Sequence, residues 1–217
     1  LDQINTNKLA WTLRGDCYFF LGRYSSAISD YSSAIYLDDK LTEAINYRGQ
    51  SYFYTKQYAL AKLDFKTLDE IFDGNYYAKN AIGICAYAED QYPVAVAQFE
   101  EVSKLSTQDQ YIFNLAMAYY RNKQYKKALP LFDQLAMNHR LEPKYNVAKA
   151  WVLVELKKYR DAENWMDEAI RENGYIKEYF AVRAIIYRKL GETKKALKDE
   201  RIAHAIKGEP LSFDLNF

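Results

Sequence analysis

Residue types that commonly do chemistry are few in this 217-residue sequence, and their spacing matches no reactive arrangement. There are two histidines, His139 and His204, and neither belongs to an H-E-x-x-H pair. The two cysteines, Cys17 and Cys85, form no C-x-x-C and lie near no histidine in sequence, so neither a metal cage nor a thiol–imidazole nucleophile is spelled out. His139 sits in MNHRLEP, a turn between predicted helices, and His204 in the polar run KKALKDERIAHAIK; both read as solvated. Two carboxylates held together can divide acid and base roles. Asp38/Asp39 and Glu100/Glu101, however, fall at predicted helix ends or exposed faces, where such groups simply meet water. The eight glycines leave none over for a phosphate loop. The expectation is a protein with no catalytic residue, no metal and no cofactor, whose function lies in binding.

The elements that would position binding residues come from a repeat. Residues 22–35 read GRYSSAISDYSSAI, and the pattern around Ala27 returns at Ala61, Ala95, Ala128, Ala162 and Ala196, with spacings of 34, 34, 33, 34 and 34 residues. Tyr stands three before each of the first five anchors, and Tyr31, Phe65, Phe99, Phe132 and Met166 stand four after; the sixth has Thr193 and Glu200 instead. Composition does not generate such regularity, so a structural unit fills the chain. Apolar residues within each unit recur at three- and four-residue spacing, which predicts two amphipathic helices per unit. The break between them falls at Gly22, Lys56, Asp90 or Gln91, Lys123, Lys157 and Gly191. Gly15, Gly49 and Gly83 lie where two helices must approach closely, and Gly74, Gly174 and Gly208 where the turn between units calls for left-handed backbone. Cys17 and Cys85, ten before their anchors, are expected on a buried helix face.

The order Trp11-x-x-Arg14-Gly15-x-x-Tyr18, followed by Ala27-x-x-x-Tyr31 and Ala34, resembles the tetratricopeptide repeat over about residues 8–208. It departs from that family at Arg14, where Leu is usual, and at the position of the terminal Pro, taken here by Asp39, Asp73, Thr107, Arg140, Gly174 and Gly208. The third repeat is one residue short. The resemblance implies an all-α fold, an αα superhelix of six helical hairpins near 8–41, 42–75, 76–108, 109–142, 143–176 and 177–208, with a tail at 209–217. In such a solenoid each unit buries its face only against its neighbours. The charged surroundings of Glu200 suit a solvent-facing terminal cap.

Composition is that of an ordinary folded domain: 49% hydrophobic, 27% charged, formal net charge +1. No run of eighteen apolar residues is present, so no helix is expected to insert in a membrane. Residues 1–108 carry ten Lys and Arg against fourteen Asp and Glu, net −4, and residues 109–217 carry twenty against fifteen, net +5. This gradient is too weak for a nucleic-acid surface, though it could orient a partner. The sequence alone favours a cytoplasmic location and leaves an exported or tethered one open. A chain starting at Leu1 also leaves room for a preceding segment or an effector domain.

In the tetratricopeptide family the first helix of each hairpin lines an inner groove. Carried across by position, eight before the anchor gives Phe19, Phe53, Tyr87, Tyr120, Val154 and Arg188; seven before gives Tyr54 and Arg121. Eleven before gives Asp16, Gln50, Ile84, Met117, Trp151 and Ile185, and fifteen before gives Thr12, Asn46, Asn80, Phe113, Val147 and Ala181. The resemblance therefore implies a groove rich in rings, with Phe19, Asn46, Gln50, Phe53, Tyr54, Asn80, Tyr87, Phe113, Met117, Tyr120, Arg121, Trp151 and Arg188 as candidate partner-binding residues. The rings read as surplus to the inter-repeat core, left either to contact a ligand or to pack locally within a tight superhelix. The family's carboxylate clamp, which grips chaperone C-termini with paired Lys and Asn, does not map: the corresponding positions hold Thr12/Asp16, Asn46/Gln50 and Tyr77/Ala81. The reading is a non-catalytic module that binds a protein or peptide segment. Its rival is an architectural rod in which a second copy fills the groove. Finally, Leu211, Phe213, Leu215 and Phe217 alternate with Ser212, Asp214 and Asn216 after Pro210. That strip is either a frayed end or an extended segment docked on apolar surface of its own last repeats or of a neighbouring molecule.

Overall fold

The structure, a computed structural model, describes residues 8–72 and 74–215. Asp73, and Asn216 and Phe217 of the alternating strip, lie outside the described residues. Twelve described helices form six hairpins in chain order. The first three are α1 (Lys8–Phe20) with α2 (Tyr24–Leu37), α3 (Thr42–Tyr54) with α4 (Tyr58–Ile71), and α5 (Tyr76–Ala88) with α6 (Tyr92–Leu105). The second three are α7 (Asp109–Arg121) with α8 (Tyr125–Asn138), α9 (Pro143–Glu155) with α10 (Tyr159–Glu172), and α11 (Lys177–Lys189) with α12 (Thr193–Ala205). The chain divides into two compact units, one ending at Thr107 and the other beginning at Gln108. The fold is all-α, and no strand occurs among the described residues.

Each hairpin turns by the same device. The amide of the residue five before the anchor alanine donates to a carbonyl three residues back, and the next amide reaches five back, as in Gly22 N to Phe19 O (2.9 Å) and Arg23 N to Tyr18 O (2.8 Å). This closes the last turn of the first helix in a Schellman arrangement and requires positive φ at the first of the two residues. All six positions adopt it: Gly22 at 72° and Gly191 at 78°, but also Lys56, Asp90, Lys123 and Lys157 at 59–61°. Left-handed backbone costs a residue with a Cβ on the order of 1 kcal/mol. Replacing Lys56, Lys123 or Lys157 by Gly should therefore raise stability by about 0.5–1 kcal/mol each, net of the greater freedom of Gly in the unfolded chain. Thermal and urea melts of the single and triple variants measure this, and unchanged midpoints would refute it. Between hairpins, Gly74 also takes positive φ (77°). Gly174 does not: α10 ends at Glu172 and the chain leaves it through Asn173 at φ −148°, with no left-handed residue, which corrects the expectation there.

The anchors are buried where two helices cross. Ala27, Ala61, Ala95, Ala128, Ala162 and Ala196 are all 0% exposed. In the first unit, a Cβ on Gly15 or Gly83 would stand 2.7 or 2.6 Å from the ring of Tyr31 or Phe99, so these first helices pass directly over the ring four after the anchor. In the second unit, Ala116, Ala150 and Ala184 take the same offset and are buried. Cys85 belongs to the core of the first unit, and burial pushes its thiol up to about 12, which keeps it protonated. Cys17 does not match the expectation of burial: it is exposed on α1.

The departure from the family at Arg14 has a structural partner. Arg14 pairs bidentately with Asp30 (2.6 and 2.8 Å), Arg48 with Asp64 (2.9 and 2.7 Å) and Arg183 with Asp199 (2.7 and 2.9 Å), each pair sixteen residues apart. The three aspartates are 4%, 4% and 2% exposed, so the carboxylates sit in the hairpin interior. The same basic position also reaches the preceding hairpin: Arg48 to Ser32 (3.3 Å), Lys149 to Asp133 (2.5 Å) and Arg183 to Asp167 (2.7 Å). Burial pushes the Asp64 carboxyl up, and the Arg48 hydrogen bonds oppose that rise.

Candidate functional site

In the first unit, the first helices α1, α3 and α5 stand side by side because α2 and α4 fill the space behind them. Their candidate side chains form two kinds of surface. Phe19 is the centre of an aromatic cluster, with ring centroids 5.0 Å from Tyr47, 5.5 Å from Phe20, 5.6 Å from Tyr24 and 6.1 Å from Tyr54. Tyr54, exposed, lies stacked on Tyr24 at 4.6 Å, and Phe53 meets Tyr54 and Tyr58 edge-on or tilted at 5.8 and 5.4 Å. Beside the rings lies a polar cluster: the Gln50 amide donates to Asn46 Oδ1 (3.3 Å) and to Tyr77 Oη (2.8 Å), while the Tyr77 hydroxyl donates to Asn46 Oδ1 (2.8 Å). Asn46 and Gln50 are half-buried on α3, and Tyr77 of α5 bonds to both. Tyr87 packs on Tyr92 at 5.5 Å and remains half-buried, whereas Asn80 is fully buried.

In the second unit, Tyr120 of α7 and Trp151 of α9 stack at 6.3 Å with an interplanar angle of 25°. Burial and the neighbouring Glu155 push the Tyr120 hydroxyl up, so the ring is a neutral donor beside the indole. Phe113 and Met117 are buried, 5% and 4% exposed, and Phe113 packs on Phe132 and Tyr145 at 6.1 and 5.6 Å. Arg121 and Arg188 are exposed at the ends of α7 and α11. Arg188 is already paired, its guanidinium donating to both carboxylate oxygens of Glu200 at 2.8 and 2.9 Å.

The chain after α12 lies on this second surface. Leu211 and Phe213 pack on the cluster that contains Val147, Ala150, Tyr179, Val182 and Ile186, and the Phe213 ring sits 4.4 Å from Trp151. Two polar ties hold the segment's start against α11: Lys177 Nζ donates to the Gly208 carbonyl, and the Leu211 amide donates to Glu178 (3.3 Å). Leu215 is 8% exposed. Ser212 and Asp214 face outward and bond each other (2.8 Å).

Besides Arg121 and Arg188 at the helix ends, the candidate residues fall into three groups. Phe19, Phe53, Tyr54, Tyr87, Tyr120 and Trp151 keep partly exposed rings on first helices; Asn46 and Gln50 form a joint polar cluster; Asn80, Phe113 and Met117 are enclosed. The rings take part in local packing as well. Those of Phe19, Phe53, Tyr87 and Tyr120 each meet the Tyr that opens the following helix at 5.4–5.7 Å, so one face of each ring is spent inside its own hairpin. The signal for this was the Tyr that recurs three before the first five anchors. Tyr47 and Tyr77, which tie neighbouring hairpins, carry no such periodic mark. Among the described residues no group of three His, Cys, Asp or Glu is placed to hold a metal ion, and no helix is long and apolar enough to cross a membrane.

Family models described as tetratricopeptide repeat match residues 9–41, 80–146 and 113–175, together more than half of the chain. Comparison with curated proteins returns no match. Among solved structures, the chain is similar to the C-terminal part of a TPR repeat-containing protein from Cytophaga hutchinsonii, at 19% identity, TM-score 0.73, covering 90% of this chain and 83% of that one. It is also similar to a tetratricopeptide repeat protein from Parabacteroides merdae, at 17% identity, TM-score 0.68, covering 92% and 78%. A third is YrrB, described as a TPR protein with an unusual peptide-binding site, at 14% identity, TM-score 0.66, covering 82% and 92%. At these identities the likeness is one of fold.

Proposed function

The chain belongs to the tetratricopeptide repeat family, and from that premise we propose that it is a non-catalytic module whose first helices hold a segment of another protein. The observation that carries the reading is the recurrence of partly exposed rings and amides at fixed offsets on successive first helices: Phe19, Phe53, Tyr87 and Tyr120 at one offset, Gln50 and Trp151 at another. Rings give contact area at small entropic cost, and half-buried amides such as Asn46 and Gln50 can exchange bonds with an extended backbone. The peptide-binding site that YrrB's description names supports a peptide-sized ligand.

Aromatic anchors commonly carry about 2 kcal/mol or more at an interface. A partner captured with the parent protein should therefore bind Trp151→Ala and Tyr120→Ala at least tenfold more weakly by calorimetry. Unchanged affinity for both would move the site off the first helices. Light scattering across a concentration series addresses the architectural alternative: a concentration-independent monomer favours the module, a growing mass favours self-assembly.

A further inference from the structure

We infer that the groove of the second unit recognises extended segments with apolar residues at every second position, and that residues 210–215 occupy it as a built-in, displaceable stand-in for such a ligand. This rests on the binding-module reading and specifies the ligand's chemistry.

Four observations lead there. The segment is not helical from Lys207 to Leu215. Its exposure alternates: Leu211 and Phe213 are half-buried and Leu215 is buried, while Pro210, Ser212 and Asp214 are exposed. It runs from Glu178 and Lys177 on α11 to Trp151 on α9, so it crosses first helices in the reverse of chain order. And Phe213 meets Trp151 at 4.4 Å with a tilt of 42°, on an indole that is itself stacked with Tyr120. A strand presents alternate side chains to opposite faces, so a docked strand reads a surface with period two. Leu211 and Phe213, two residues apart, supply the apolar face that packs on the unit, and buried Leu215 keeps the period; Ser212 and Asp214 bond each other outside.

The tie to the protein is slight. Among the described residues, polar contacts from the body of the unit reach Gly208 and Leu211, at the segment's start. Beyond them the hold is apolar packing, of the size that a competing peptide of the same pattern can displace. Because the segment is tethered beside its site, it competes at a high effective concentration. A partner must therefore match the pattern or gain further contacts toward Tyr120.

The test uses the full chain. A fluorescein-labelled peptide of the segment's own sequence, EPLSFDLNF, is titrated by anisotropy into the parent protein and into the Leu211→Ser/Phe213→Ser variant, whose far-UV circular dichroism reports folding. Binding to the variant at least tenfold tighter than to the parent is expected. That binding should weaken at least tenfold when Trp151→Ala is added, or when the peptide is rearranged to EPLLFFSDN, which keeps composition and removes alternation. Equal binding to parent and variant, no binding to either, or indifference to the rearranged order overturns the inference. A parent that is dimeric by light scattering while the variant is monomeric also overturns it, since the segment would then seat on a second copy. The module reading fails separately, through a captured partner that ignores Trp151 and Tyr120.

Discussion

Asp199→Ala is expected to destabilise the last hairpin by about 3–5 kcal/mol, because it strips a mostly buried guanidinium of its enclosed counter-charge. The Asp199 side chain is 3% exposed and that of Arg183 16%, and the carboxylate holds the guanidinium by two bonds of 2.7 and 2.9 Å. Truncating Asp199 leaves Arg183 with Asp167 alone, whose side chain is 44% exposed, and with the rings of Phe180 and Tyr187 at 5.5 and 5.7 Å. A mostly buried cation that has lost its two best bonds is the costly outcome. Replacing both partners is a different matter, because the desolvation of both charges disappears with their attraction. The Arg183→Leu/Asp199→Leu variant restores the apolar residue usual in the family at the first position and should melt within about 1 kcal/mol of the parent, or above it. A double-mutant cycle by urea denaturation checks this. Additive single effects, or a mild Asp199→Ala, would show that the pair is not a buried unit.

That pair also marks where reading the sequence stops. The anchor alanines and the rings four after them were legible because packing one helix across another admits only a few sizes at a crossing, and size is printed in residue type. The hairpin breaks were legible too, though half of them are Lys. Their left-handed backbone follows from the Schellman closure that every hairpin shares. The Arg–Asp pairing was present in the spelling three times, at sixteen residues, as Arg14/Asp30, Arg48/Asp64 and Arg183/Asp199. It was hidden because no helical period is sixteen within one helix; the distance arises only after the hairpin folds back. The candidate site suffered from a similar cause. Offsets along a first helix give the direction of a side chain, not what stands in front of it. Hence Asn80, Phe113 and Met117, chosen by the same offsets as Asn46 and Gln50, are enclosed, and the rings eight before the anchors share one face with the following Tyr. The alternating strip after Pro210 was readable as strand-like, but two destinations fitted it equally, since only folding brings Trp151 to Phe213.

Ala61→Leu and Ala128→Leu are each expected to cost about 1–3 kcal/mol, and to do so locally. Both alanines are 0% exposed. Around Ala61 the crossing is already tight: a mere Cβ on Gly49 would come within 3.0 Å of the Phe65 ring, one turn along α4. Three further heavy atoms at Ala61 have nowhere to go except by pushing α3 away from α4. Helix propensity does not offset this, since Leu is slightly poorer than Ala in a helix. In a stack of nearest-neighbour interfaces the damage should be confined to the altered hairpin and those beside it. Hydrogen exchange distinguishes confinement from global loss: in Ala61→Leu, amides of α3 to α5 should lose protection while those of α9 to α12 keep theirs, and Ala128→Leu should do the reverse for α7 to α9 against α1 to α3. Either variant melting like its parent would mean the anchors are not at the crossings. Uniform loss of protection along the whole chain would mean that the hairpins fold as one cooperative body, and the repeat would then be a regularity of sequence without a matching division of energy.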